Sequence, residues 1–331
     1  MEHFGFPLEA ILIFIGVISI SVYLDLFAHK KNTEISLKDA AGWSIFWIVL
    51  AILFYGYLWV RFDKKWADLY LTGYALEKSL SVDNLMVFMA IFASFGIKGA
   101  LQHRILYYGI MGALVFRAIF VVIGTELFYA SPWVGFLFAA FVIWTAVKML
   151  QKRDHAGDIE DYSDHWSVRL TSRLLPVYPK LYLNRFFIRH GQIPGNETDL
   201  PSSTKNALYA TPAFLCLMAI ETSDVAFAFD SVPAVIAVTQ EPLLVYAAMI
   251  FAILGLRSLY FVLAALTKYL IYLEKAVIFL LFYIGMKMTL QSWNHAVFDT
   301  GFSIPPGWSL AIVLGMLCAG VAASLLFPKK E

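Results

Sequence analysis

The sequence predicts an all-α, polytopic membrane protein with about nine transmembrane helices. Of its 331 residues, 60% are hydrophobic and only 15% are charged, whereas a soluble domain carries about 25% charged residues to cover its surface. The chain therefore needs the lipid bilayer as part of its solvent. Its net charge of +1 gives no basic excess for a polyanion, so we expect lipid, and no nucleic acid, among its partners.

Nine stretches can serve as spans, because a helix needs about 20 mostly apolar residues to cross the hydrocarbon. In chain order they lie at 8–28, 40–60, 69–97, 105–125, 132–150, 207–239, 243–266, 274–292 and 308–327. The N-terminus lacks the basic segment of a cleavable signal, so we expect the first stretch to remain as a helix. The third and sixth stretches are long and carry acidic residues in mid-span.

Basic residues in the connecting loops predict the orientation. With nine spans, 17 Lys and Arg residues fall on one side of the membrane and 3 on the other. Since the positive side faces the cytoplasm, the N-terminus is predicted to lie outside and the C-terminus in the cytoplasm. We expect the location to be a bacterial inner membrane.

An internal repeat relates spans 3–5 to spans 6–8. Asp83 precedes Arg117 by 34 residues, and Asp224 precedes Arg257 by 33; a lysine follows each arginine, 31 and 30 residues further on. Each unit contains three spans, and the linker between them keeps both of its ends on one side. The second unit is therefore predicted to be inverted relative to the first. Inverted repeats are typical of transporters, whose sites lie at the repeat interface.

These features predict five segments. They are two N-terminal helices (1–68), a first three-helix repeat (69–150), a cytoplasmic linker (151–206), a second, inverted three-helix repeat (207–292), and a final helix with a cytoplasmic tail (293–331). Within the linker, apolar residues alternate with charges around 162–175, which predicts a short interfacial helix.

Each repeat begins with a span that contains acidic residues. Glu221 and Asp224 are three apart and share a helix face, but Asp230 is nine residues beyond Glu221 and lies about 180° round a regular helix. Glu77 and Asp83, six apart, also occupy different faces. These carboxylates can converge on one point only if the helices are broken at the acidic motifs.

Two local signals favour such breaks. Pro233 disfavours helix at the residue before it, and Gly73 with the serines that follow it is expected to loosen the third span. A discontinuous span would also free main-chain carbonyls as ligands.

Carboxylates are hard oxygen donors that suit Mg²⁺, Ca²⁺ or Mn²⁺. No His or Cys pairs stand at metal-binding spacing, which disfavours zinc and copper. Acids at membrane depth are functional by default, and desolvation favours their protonated form, so they could also carry protons as a counter-ion. The predicted ligands are Glu77, Asp83, Glu221, Asp224 and Asp230.

Basic residues inside the spans are expected to complement these acids. Lys78, Arg117 and Arg257 are predicted to pair with them and to hold them apart when no metal ion is bound. For the two arginines, structural ion pairing between helices is the favoured role. Lys148 and Lys287 lie near span ends, and we expect both to extend towards the membrane interface.

The acidic motifs resemble those of the TerC family, including its Alx-type members. The resemblance rests on Gly73–Asn84, Tyr209–Pro212, Glu221–Val225 and Phe229–Ala234, with support from Phe186–Arg189 and Gly255–Arg257. It covers residues 8–292 and implies a three-plus-three inverted architecture similar to that of LysE-type exporters. The acidic ligands carry over, and Asn84, Ser223 and Ser231 become lesser candidates. The stretch 191–206 is longer and more polar than this resemblance leads us to expect.

The resemblance implies export of Mn²⁺, because Alx-type members act as manganese exporters, although the family was named for tellurium resistance. Two alternatives stay open. One is a membrane protein that does not transport and instead aids the assembly or insertion of other membrane proteins; the other is a Ca²⁺ transporter on the same scaffold. We expect no enzyme, because no catalytic motif is present, and no organic cofactor.

Overall fold

The computed structural model describes residues 2–3, 6–27, 36–152, 162, 165–182, 185–190, 208–239, 241–266, 272–294 and 304–327. Within them the chain forms eleven helices and four very short strands. The elements are β1 (Glu2–His3), β2 (Phe6–Pro7), α1 (Leu8–Phe27), α2 (Leu37–Arg61), α3 (Lys64–Ser94), α4 (Ala100–Ala130), α5 (Pro132–Lys152), α6 (Trp166–Leu174), β3 (Phe187–Arg189), β4 (Leu208–Ala210), α7 (Pro212–Thr239), α8 (Pro242–Ile253), α9 (Leu256–Leu266), α10 (Leu273–Trp293) and α11 (Pro306–Leu326).

The predicted all-α membrane fold is confirmed. By length and composition, six of the described helices can cross a membrane, and α8 with α9 adds a seventh if this bent pair counts as one span. The remaining two predicted stretches coincide with α1 and α3. Since α3 carries six charged side chains, it is much less apolar than the other long helices, and the count of nine stays a prediction.

The acidic motifs lie on unbroken helices, so the predicted breaks at these motifs are wrong. Both α3 and α7 are continuous through them, and Pro233 stands inside α7. Side-chain hydroxyls here bond back into their own helix: Ser81 donates to the carbonyl of Glu77 at 2.8 Å, and Thr222 to that of Met218 at 2.8 Å. Because lipid offers the main chain no partners, an intact helix is the cheaper solution.

A break is present elsewhere, at Leu254 and Gly255 between α8 and α9. The two helices are bent by 53°. Gly255 has a φ of +77°, a left-handed conformation that glycine adopts without steric cost. A Cβ on this residue would collide with the Trp47 indole of α2, so the close approach of α2 also requires glycine here.

The two predicted three-helix units correspond to α3–α5 and to α7–α10. They interlock, since α4 packs on α7, α3 packs on α7 and α8, and α5 packs on α10. Their inverted relationship stays a prediction. In the linker, α6 confirms the expected short helix, while the strands β3 and β4 pair antiparallel; residues 191–207 lie outside the described part.

Candidate functional site

A buried arginine joins the two three-helix units. Arg117 of α4 is 2% exposed, and its guanidinium forms ion pairs with Glu77 of α3 and Asp224 of α7. The Nη2 atom lies 3.1 Å from Oδ1 of Asp224, and Nη1 contacts Oε1 of Glu77. Both carboxylates are also buried. The first and second units therefore each contribute one carboxylate to a single guanidinium.

The charge of this centre is unbalanced. With all three side chains ionised, Glu77 and Asp224 carry two negative charges and Arg117 one positive charge, which leaves a net charge of −1. A charge at membrane depth costs roughly 2.5–3.5 kcal/mol on insertion scales. A second buried arginine, Arg257, lines a small cavity together with Asp224 and adds a further positive charge beside these carboxylates.

Glu221 lies one helical turn before Asp224, on the same face of α7. A glycine on α4, Gly112, provides the space for it, since a Cβ at this position would overlap the Glu221 carboxylate. The Oε2 atom of Glu221 is buried and has no hydrogen-bond partner among the described residues. The role of Gly112 was not predictable from the sequence, because a glycine in an apolar helix gives no signal of the acid it faces.

The other predicted ligands have differing surroundings. Asp83 is half-buried, and the adjacent Asn84 is buried. The side-chain amide nitrogen of Asn84 has no hydrogen-bond partner among the described residues. Ser223 donates to the carbonyl of Ala219 at 2.8 Å, while the buried hydroxyl of Ser231 has no such partner among the described residues. The side chain of Asp230 lies outside the described part.

No three His, Cys, Asp or Glu side chains in the described part of the chain are close enough to hold a metal ion together. The residues that the structure brings together are Glu77, Arg117 and Asp224, with Glu221 next to them on α7. In this conformation Arg117 occupies the position between the two carboxylates.

A small cavity adjoins this centre, with room for about one water molecule. It lies between α3, α4, α7 and α9, and its charged lining residues are Asp224 and Arg257. The remaining lining residues are apolar. Arg257 is 1% exposed and follows the break between α8 and α9 directly, so the break positions this second arginine beside the acid of α7.

Lys78 contacts the second three-helix unit through main-chain oxygens, and its pairing with the acids stays a prediction. Its ammonium donates to the carbonyls of Ala252 and Leu254, at 3.0 and 3.3 Å. These carbonyls belong to the carboxyl-terminal end of α8, which the sequence did not identify as a partner for Lys78.

The two lysines expected at the interface differ. Lys148 is exposed, and its ammonium lies 5.2 Å from the centroid of the Trp144 ring; its extension to the membrane interface stays a prediction. For Lys287 the prediction is wrong: it is 4% exposed and donates to the Ser309 hydroxyl of α11 at 2.8 Å. The packing of α11 over α10 closes the route to the interface that the sequence suggested.

Fold and site together define a polytopic α-helical membrane protein with an ionic centre buried between two helical units. A family profile described as "Integral membrane protein TerC family" matches residues 62–331. The chain therefore belongs to the TerC family, as the acidic motifs had indicated.

Relatives along the full length support this assignment. The chain is 50% identical to the tellurium resistance protein TerC of Serratia marcescens, over 99% of this chain and 96% of the relative. It is 49% identical to the tellurium resistance protein TerC of an Alcaligenes species, with the same coverage. To Alx of Escherichia coli (strain K12), named as a candidate membrane-bound redox modulator, it is 35% identical over 92% of this chain and 90% of the relative. No solved structure matches the chain.

Proposed function

We propose that this protein is a transporter that exports divalent metal ions, with Mn²⁺ as the first substrate to test. The observation that carries the proposal is the sharing of Arg117 by Glu77 and Asp224 from the two three-helix units. Alternating access needs a site between two units that move against each other. If both units contribute carboxylates, the strength of ion binding depends on how the two units are positioned relative to each other.

In the proposed cycle the metal ion and the Arg117 guanidinium compete for the same carboxylates. A divalent cation neutralises Glu77 and Asp224 fully, whereas Arg117 neutralises only one of their two charges. Glu221, one turn from Asp224 and beside Gly112, supplies a third carboxylate. After release of the ion, Arg117 returns and a proton can occupy the remaining carboxylate, which makes protons the proposed counter-ion.

Ca²⁺ stays an alternative substrate, because hard oxygen ligands suit both ions. We retain Asp83, Asn84, Ser223, Asp230 and Ser231 as further candidate ligands. A role in membrane-protein assembly is the alternative that involves no transport; it would leave the buried acids dispensable and depend on the linker 151–206. We also propose a bacterial inner-membrane location, consistent with the bacterial relatives, with the N-terminus outside.

Tellurium resistance is a second proposal, favoured by the 50% identity to a protein of that name. Tellurite is an oxyanion, and the buried centre is rich in carboxylates, so we propose an indirect contribution to resistance rather than export of the anion through this centre. For a redox role, the two cysteines of the chain offer little: both are free, Cys216 being buried and Cys318 exposed.

The test is the intracellular Mn²⁺ content of cells that lack other manganese exporters. Wild-type protein should lower it, whereas Glu77→Gln and Asp224→Asn should not. Lys148→Met is the matched control, because it removes an exposed charge from α5 and should behave as wild type. Identical Mn²⁺ content with wild type and both carboxylate variants, at equal protein levels, would overturn the proposal.

A further inference from the structure

The carboxyl-terminal end of α8 carries main-chain oxygens that its own helix does not use. The last four carbonyls of any α-helix have no intrahelical partner, and here the final helical bond runs from the Leu254 N–H to the carbonyl of Ile250, at 3.0 Å. The break that follows, with its 53° bend, prevents α9 from satisfying these oxygens. Such an end also carries the negative pole of the helix dipole.

The Lys78 ammonium is bound at this end. Its Nζ atom donates to the carbonyl of Ala252 at 3.0 Å and to that of Leu254 at 3.3 Å. These are neutral oxygens of the main chain, 174 and 176 residues away in sequence, and they belong to the other three-helix unit. Two of the ligands of the ammonium are therefore main-chain carbonyl oxygens, which are the ligands that monovalent cations find in carbonyl-lined sites.

The neighbouring residues fix the geometry of these oxygens. Gly255, at a φ of +77°, turns the chain immediately after Leu254. The Trp47 indole of α2 packs on this glycine so closely that no Cβ fits between them. All residues from Ala252 to Arg257 are buried, which limits the access of bulk water to the main chain.

We propose that the carboxyl-terminal end of α8 is a binding site for a small monovalent cation, built from the carbonyls of Ala252 and Leu254, and that Lys78 occupies it as a tethered cation. Broken helices of transporters commonly present such carbonyls to ions. In this chain the side chain of Lys78 replaces the ion and links the first three-helix unit to the break in the second. A chain that lacks the amine should accept a free cation instead.

The experiment is chemical rescue of a truncated side chain. Lys78→Ala is purified in detergent, and its Tm is measured with ammonium, methylammonium or potassium chloride, against choline chloride at the same ionic strength. Choline is too large for a space vacated by one lysine side chain. The Tm is independent of metal transport, so the outcome here does not depend on the proposed function.

The expected result is a Tm lower than that of wild type by several degrees, with at least half of the loss restored by one of the small cations and none by choline. Lys148→Ala, which removes an exposed lysine of α5, should show no difference between the salts. Equal Tm values of Lys78→Ala in all salts, or the same salt response in Lys148→Ala, would overturn the proposal.

A second measurement covers the case in which Lys78→Ala does not yield folded protein. Lys78→Met is one atom shorter than lysine and lacks the charge, and it leaves little room for an ion. Amide hydrogen exchange in the segment 252–257 should then be at least tenfold faster than in wild type, with exchange in α5 unchanged. If exchange at the break equals that of wild type, the ammonium does not hold these carbonyls and the proposal fails.

Discussion

Replacement of Arg117 by methionine tests the buried centre directly. Arg117 is 2% exposed and serves two buried carboxylates, Glu77 and Asp224. Removal of one partner of a buried ion pair costs about 3–5 kcal/mol, because it leaves an uncompensated charge. Here one substitution leaves two such charges, so we expect the upper part of this range for the loss in the free energy of unfolding.

The assay is denaturant unfolding in detergent, followed by circular dichroism. Arg117→Lys keeps a charge but cannot bridge both carboxylates with a planar fork, so its loss should lie between those of wild type and Arg117→Met. Combining Arg117→Met with Glu77→Gln should restore part of the stability. If Arg117→Met matches the exposed control Lys148→Met within about 0.5 kcal/mol, the carboxylates are not held by Arg117 and the reasoning is refuted.

Three further predictions concern other contacts. Gly112→Ala should displace the Glu221 carboxylate, because the new Cβ overlaps it. We expect a loss of about 1–3 kcal/mol in the free energy of unfolding and weaker Mn²⁺ transport. The control Gly56→Ala, with open space around the glycine, should change neither stability nor transport. Gly255→Ala should destabilise the protein more than Gly96→Ala. Both glycines have positive φ values, of +77° and +63°, but of the two only Gly255 abuts Trp47. Equal losses of stability in unfolding experiments would argue against this contact. Ser309→Ala should lower the free energy of unfolding by about 1–3 kcal/mol, because it removes the acceptor of the buried Lys287 ammonium. Adding Lys287→Met should recover most of this stability. A double variant no more stable than Ser309→Ala would contradict this explanation.

The sequence was sufficient for the membrane class because that conclusion depends on composition and span length. Each predicted stretch has a helix at its place, since the bilayer leaves the main chain few alternatives. The position of the break was not predictable in the same way. Pro233 and the serines near Gly73 signal a weak helix, yet α3 and α7 stay intact, and the break occurs at Gly255, where Trp47 from another helix makes the glycine necessary.

The site was predictable in its residue types but only partly in its contacts. Charge spacing indicated that Asp83 and Arg117 of the first unit correspond to Asp224 and Arg257 of the second. The contacts of Arg117, however, are with Glu77 and Asp224, one from each unit. Pairing across units depends on how the helices pack, which the sequence of one helix does not show. The same holds for the burial of Lys287 under α11 and for the space that Gly112 leaves for an acid.

Mn²⁺ flux into proteoliposomes tests the central claim most directly. Purified wild-type protein should move Mn²⁺ across the membrane, Asp224→Asn and Glu77→Gln should reduce the rate at least tenfold, and Lys148→Met should leave it unchanged. An undiminished flux in both carboxylate variants, or no flux of Mn²⁺ or Ca²⁺ with correctly inserted wild-type protein, would contradict the assignment of a metal pathway to the acids around Arg117.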